Sequence, residues 1–150
     1  MPLIFSRNTP THETLTPASP CFEGSGFEGE DFMLTVRRLT PIDRARITVA
    51  SQEARKNFPD DPEGNAMYNT AFNALVFQMQ VEGWDGFNEE DQNEEGEIIT
   101  VPMVCTPEAR EFVAQASPRL AAAVTMWVYG GEGEGVKKGS ELPLGKKKGS

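Results

Sequence analysis

One stretch limits the folds open to this chain more than any other. It is an apolar helical run that breaks at Gly83-Trp84-Asp85-Gly86 and gives way to a polar, acidic segment. From Tyr68 the residues Phe72, Leu75, Val76 and Met79 recur with the period of one face of an α-helix. The residues from Glu82 to Glu97 then carry eight acids and no base. A segment so charged cannot supply a core, so the helix has to bury its stripe against what lies before and after it. The fold class this implies is α+β, mainly α: a small helical domain with an N-terminal strand, a short β-hairpin and extended ends.

A chain of 150 residues amounts to one domain and buries a core without disulfide or metal staples. Its apolar share is 38%, beside 14 Gly and 11 Pro, a mixture that suggests a compact centre with loose ends. The expected division is an extended N-terminal arm over 1–30, a globular helical domain over 31–130, and a flexible Gly/Glu/Lys-rich tail over 131–150. A net charge of −9 argues against general nucleic-acid binding, because a phosphate backbone is repelled. The start, Met1-Pro-Leu-Ile-Phe-Ser-Arg, has no basic region followed by a long apolar run. No stretch reaches the roughly 18–20 apolar residues of a membrane span. These features predict a soluble, intracellular protein that needs no membrane. Cys21 and Cys105 lie far apart without paired metal-ligand spacing, which points to free thiols in a reducing compartment.

Residues 2–31 hold no sustained period and are punctuated by Pro10, Pro17, Pro20, Gly24, Gly26 and Gly29. Leu3, Ile4 and Phe5 suit a short strand, while Phe22 and Phe27 stand as apolar anchors in polar surroundings. The segment is either a flexible arm or an arm whose phenylalanines order on a partner. Phe32, Leu34 and Val36 then alternate with Met33, Thr35 and Arg37, as in a half-buried strand. Thr40-Pro41-Ile42-Asp43 starts a helix, with Thr40 as N-cap and Asp43 placed to bond back to the cap amide. That helix, Pro41–Asn57, has a narrow apolar side of Ile42, Ala45, Val49 and Ala50. Asp61-Pro62 caps the central helix, expected over Pro62–Val81. After the acidic segment, Glu97–Val101 is β-prone, and Pro102 confines it to an edge or an end. Thr106-Pro107-Glu108 opens a third helix with Phe112 and Val113. Ser117-Pro118 stops it and opens a fourth, with Leu120, Ala123, Val124, Trp127 and Val128.

Nothing in the chain forms a catalytic constellation, so no catalytic residue, cofactor or metal is expected. His12, the sole histidine, lies in the Pro/Thr-rich arm without the rigid partners of a general base or ligand. Cys105 precedes a helix start, where a dipole lowers a thiol pKa, but it reads as a small hydrophobe at a strand end. Asp91-Gln92-Asn93-Glu94-Glu95-Gly96-Glu97-Ile98 matches the front half of an EF-hand loop. The bidentate acid at its twelfth position is replaced by Pro102, so a hairpin is the better reading. Its strands are expected around Trp84–Phe87 and Ile98–Val101, with the acids at a solvated tip. Gly83, Trp84, Asp85 and Gly86 would be a structural joint, Trp84 pinning it to the core. Lys137, Lys138 and Lys146–Lys148 make a basic tail on an acidic protein.

Over about residues 31–140 the order of features resembles the tail assembly chaperones of long-tailed bacteriophages. The likeness rests on Arg37-Arg38-Leu39-Thr40-Pro41, on the helix closing at Val81-Glu82-Gly83-Trp84-Asp85-Gly86, and on Cys105-Thr106-Pro107-Glu108. The Ser117-Pro118 interruption and the Lys- and Gly-rich end complete it. The long segment before Phe32 departs from the short start usual there. The resemblance implies a non-enzymatic viral protein of the host cytoplasm. Such a protein coats the helical tape measure protein and helps recruit the tail-tube protein. It also implies that Gly145-Lys146-Lys147-Lys148 marks a ribosomal slippage site near the gene's end. Exposed apolar residues would cover the client's helical stripes, with Phe22, Phe27, Met126, Trp127 and Tyr129 the candidates for partner binding. The competing expectation is a structural virion protein, a tail-tube or connector subunit whose N-terminal arm reaches neighbouring subunits. A host-directed regulator that exploits the negative charge is a third. Self-association is compatible with each.

Overall fold

The alternation at Phe32–Arg37 produces the middle strand of a sheet. The computed structural model describes Leu3 and residues 11–131. In it β2 (Met33–Arg37) lies between β1 (His12–Leu15) and β3 (Val81–Asp85), antiparallel to both. Leu34 and Val36 face the core with Leu15 of β1 and Val81 of β3, while Met33 and Thr35 stay exposed. The register of β2 against β3 slips between Thr35 and Val36, leaving Glu82 unpaired as a β-bulge.

This sheet corrects the reading of residues 1–30 as an arm. From Thr11 the chain is part of the domain: β1 pairs with β2, and Phe22 is 0% exposed. Phe22, Phe27 and Phe32 pack edge to face, with ring centroids 5.4 to 5.8 Å apart. The short apolar spacing of the segment hid this, because a four-residue edge strand and a 3-10 turn (Pro20–Phe22) leave no period to detect. Expectations for Ile4 and Phe5 and for the lysine tail fall outside the described residues.

Four helices complete the mainly α, α+β architecture: α1 (Pro41–Arg55), α2 (Pro62–Gln80), α3 (Pro107–Ala116) and α4 (Pro118–Met126). Each begins at the proline that the sequence marks. Thr40 Oγ1 accepts from the Asp43 amide at 3.1 Å and Asp43 Oδ2 from the Thr40 amide at 3.3 Å, a full capping box. Asp61 and Thr106 cap α2 and α3 through the amides of Gly64 and Ala109, without a reciprocal bond. Ser117 makes no side-chain cap. Helix α2 is central, touching α1, α3 and α4. Its Val76 and Phe77 are buried, and Phe72, Leu75 and Met79 pack against the core.

Two further expectations need correction. Helix α2 ends at Gln80, ahead of the glycine: Val81 already has extended backbone and opens β3. The Val81 amide makes the last helical bond, to the Phe77 carbonyl, and pairing of Val81–Asp85 with β2 then carries the chain on as a strand. Likewise the buried side of α1 is Asp43, Ile47 and Ser51, whereas Ile42 and Val49 are 63% and 67% exposed. The apolar stripe exists, but it faces outward. Among the described residues no helix is long and apolar enough to cross a membrane.

The acidic segment is a hairpin, though with different strands from those expected. Strand β4 (Asn88–Gln92) pairs with β5 (Ile98–Pro102), while Trp84 belongs to β3 in the other sheet. Asn93 shapes the turn, its Oδ1 accepting from the amides of Glu95 and Glu97 at 3.0 and 2.9 Å. This Asx-type turn explains why the EF-hand-like front half folds as a hairpin.

Candidate functional site

The residues singled out for partner binding separate into two groups. Phe22 and Phe27 lie in and against the apolar core, so they are structural and not exposed anchors. Met126, Trp127 and Tyr129 remain at the surface where α4 runs into a π-helical turn, Trp127–Gly131. The wider turn keeps Val128 in the core while Met126 stands 63% exposed.

Beside that turn lies an open groove of about 610 Å³, lined by Phe72 and Asn73 of α2 and by Ala122, Thr125, Met126, Tyr129 and Gly130. The small Ala122 allows the groove to form, and the rings of Phe72 and Tyr129 stand 6.0 Å apart at one side. Tyr68 extends the row, 6.3 Å from Phe72. Arginines flank it: the Arg44 guanidinium lies over Tyr129 at 5.6 Å and that of Arg55 over Tyr68 at 5.1 Å. Burial pushes the Tyr129 phenol above its usual pKa, with Arg44 pulling the other way. Tyr129 therefore stays protonated at neutral pH and offers a donor at the rim. Trp127 is not in the groove. It is half-buried against the core, with the Arg38 guanidinium 5.6 Å above its ring.

A smaller groove of about 330 Å³ lies between α2 and α3, lined by Met67, Ala71, Leu75, Gln78 and Ala114 among others. The two grooves border opposite sides of α2, Phe72 and Asn73 facing one and Ala71, Leu75 and Gln78 the other. The sequence places Phe72 and Leu75 on the helix's apolar stripe. It gives no sign that the flanking helices stop short of covering them, because coverage depends on packing between elements distant in sequence.

The joint at Gly83–Gly86 divides by function. Trp84 donates from Nε1 to the Met103 carbonyl at 2.7 Å, and its ring lies tilted against Phe87 with centroids 4.9 Å apart. It thus ties β3 to the chain leaving the hairpin. Gly86 is required: its φ is +92°, and a Cβ there would lie 2.5 Å from the Asp31 carbonyl oxygen. Gly83 has no such constraint, since its nearest neighbour would be Thr35 Cβ at 3.9 Å.

A polar chain unforeseen in the sequence crosses the sheet next to this joint. Arg37 grips Asp43 through two bonds, Nη2 to Oδ1 at 2.6 Å and Nε to Oδ2 at 3.1 Å. Its Nη1 donates to Glu82 Oε2 at 2.9 Å, and Glu82 Oε1 meets His12 Nε2. The buried Gln80 amide adds a bond from Nε2 to the Arg37 carbonyl at 3.0 Å. Burial pushes the Asp43 carboxyl up, but Arg37 and the Thr40 amide and hydroxyl together hold it below the ordinary value. The bulge aims Glu82 between Arg37 and His12. His12 Nδ1 is also engaged, 2.7 Å from Thr11 Oγ1. The imidazole therefore acts as a clasp between β1 and β3. The signal for it was present in part, since Asp43 is legible as a capping acid. Its second role required knowing that β1 exists.

Among the described residues, no group of three or more His, Cys, Asp or Glu side chains is arranged to hold a metal. Cys105 is half-buried just before the Thr106 cap, with Arg110 Nη1 3.9 Å from its sulfur. No protein family, curated protein or solved structure matches this chain.

Proposed function

We propose that this chain is a non-enzymatic tail assembly chaperone of a long-tailed bacteriophage. In this reading it binds the tape measure protein in the host cytoplasm during tail morphogenesis, with the tail-tube protein as its second partner. The observation that carries the reading is the apolar groove between α2 and the end of α4. A long client helix offers side chains at i, i+3 and i+4 that suit such a groove. Met126 at its edge is flexible and polarizable, and so adapts to stripes of varied sequence. Repeated along a long client, individually weak contacts of this kind accumulate by avidity.

The structural-subunit alternative drew on residues 1–30 as a reaching arm. With β1 and Phe22 built into the domain, that role is left with the residues before Thr11. The test is co-expression with the tape measure protein of the same genome, scored by the client's solubility and its co-purification. The parent chain is expected to keep the client soluble, and Met126→Asp with Tyr129→Ala to lose most of that effect while remaining folded. Equal client solubility with the double variant would contradict use of the groove. Stoichiometric presence of the chain in purified virions would contradict the chaperone role itself.

A further inference from the structure

Helix α1 carries an apolar stripe that the fold leaves uncovered. Ile42, Ala45 and Val49 recur at i, i+3 and i+7, on the side away from the buried Asp43, Ile47 and Ser51. Arg46 and Lys56 lie on this outer side, with Glu53, 3.5 Å from Lys56 Nζ, the one acid among them. The β4–β5 hairpin is equally without cover: all of β4 is exposed, and in β5 only Val101 is half-buried. Directly opposed residues of an antiparallel pair share a face, so Glu89 and Asp91 stand beside Val101 and Ile99. A two-stranded hairpin with neither face packed is marginally stable in water.

These two surfaces complement each other in shape-giving side chains and in charge. Each presents β-branched apolar residues, the hairpin beside carboxylates and α1 beside cations. The wider segments share the contrast: residues 37–56 hold six bases and two acids, residues 82–97 eight acids and no base. We propose that the hairpin of one copy docks on the outer face of α1 of a second copy. Ile99 and Val101 then cover Ile42 and Val49, and Glu89 and Asp91 face Arg46 and Lys56. Because the two surfaces differ, the contact closes as a reciprocal pair or a ring, or it continues as a filament.

Sedimentation velocity of the full chain, from micromolar to submillimolar concentration and at low and high salt, tests this. The expected result is a mass that rises with concentration, with the transition moved to higher concentration by salt. Glu89→Lys with Asp91→Lys, and separately Arg46→Glu with Lys56→Glu, are each expected to weaken association about tenfold or more. The chain carrying all four changes restores it, since the charges are exchanged and not removed. All four positions are exposed, so unchanged thermal melts at low concentration are expected to accompany each variant. A monomer at every concentration, charge-reversed pairs that associate like the parent, or a fourfold variant without recovery would each overturn the proposal.

Discussion

The molecule contains two small antiparallel sheets that differ in what lies beneath them. In the β1–β2–β3 sheet, Leu15, Leu34, Val36 and Val81 belong to the core that also holds Phe22, Phe77 and Val124. In the β4–β5 sheet the strands are longer on average and regularly paired, yet every residue but the half-buried Val101 is exposed. Backbone pairing exchanges water partners for protein partners at small net gain, whereas burial of apolar area contributes about 25 cal/mol per Å². The first sheet is therefore part of the fold's stability and the second is an appendage. The appendage is the acidic part of the chain. A surface that contributes little to stability is free to carry charge and apolar side chains for contact.

Five substitutions sharpen this contrast, and the largest effect is expected beneath the first sheet. Phe22→Ala removes a fully buried ring that meets Phe27 and Phe32, and is expected to cost ~3–5 kcal/mol in urea denaturation. An unchanged midpoint would return Phe22 to an arm outside the core.

Asp43→Asn, at a buried carboxylate, takes its bidentate partner from the half-buried Arg37, with an expected loss of about 2–4 kcal/mol at neutral pH. The pH dependence follows from the lowered pKa of this carboxyl in the folded state. Its contribution is fully present above the unfolded-state value of about 3.9 and is lost as pH falls through the lower folded value. Stability measured from pH 7 into the acid range is thus expected to converge between parent and variant at the acid end. Parallel curves throughout would mean the ion pair is not what Asn disrupts.

Gly86→Ala forces a Cβ against the Asp31 carbonyl at a left-handed position, at an expected cost of about 2–3 kcal/mol. Gly83→Ala in the same joint is expected to stay within about 0.5 kcal/mol. The smallest effect belongs to the second sheet: Ile98→Ser, at a residue 61% exposed, is expected to move monomer stability by less than about 0.5 kcal/mol. Thermal melts at low protein concentration compare all three.

The helix starts were legible because Thr40-Pro41, Asp61-Pro62, Thr106-Pro107 and Ser117-Pro118 combine a cap with a residue that suits the first turn, a purely local signal. The central helix was legible from its stripe. What escaped depends on distant partners. Residues 12–15 become a strand only because β2 offers an edge, and α1 turns Ile47 inward because the Arg37–Asp43 pair fixes its rotation. Periodicity reports that an apolar stripe exists but not which surface will cover it. For Ile42 and Val49 the answer was that no part of the same described chain does. The candidate groove was partly legible for the same reason: Met126 and Tyr129 stood out as apolar residues at a helix end. Phe72 and Ala122 acquired their place through packing of α2 on α4.

Hydrogen exchange at dilute protein concentration tests most directly the claim that the first sheet, with residues from Thr11 onward, is the stable unit and the hairpin an appendage. Amides of β1, β2 and β3 that pair in the ladder are expected to exchange only through global unfolding. Those of β4 and β5 are expected to exchange orders of magnitude faster, through local opening. Unprotected amides at His12–Leu15, or a hairpin as protected as Leu34 and Val36, would contradict the account.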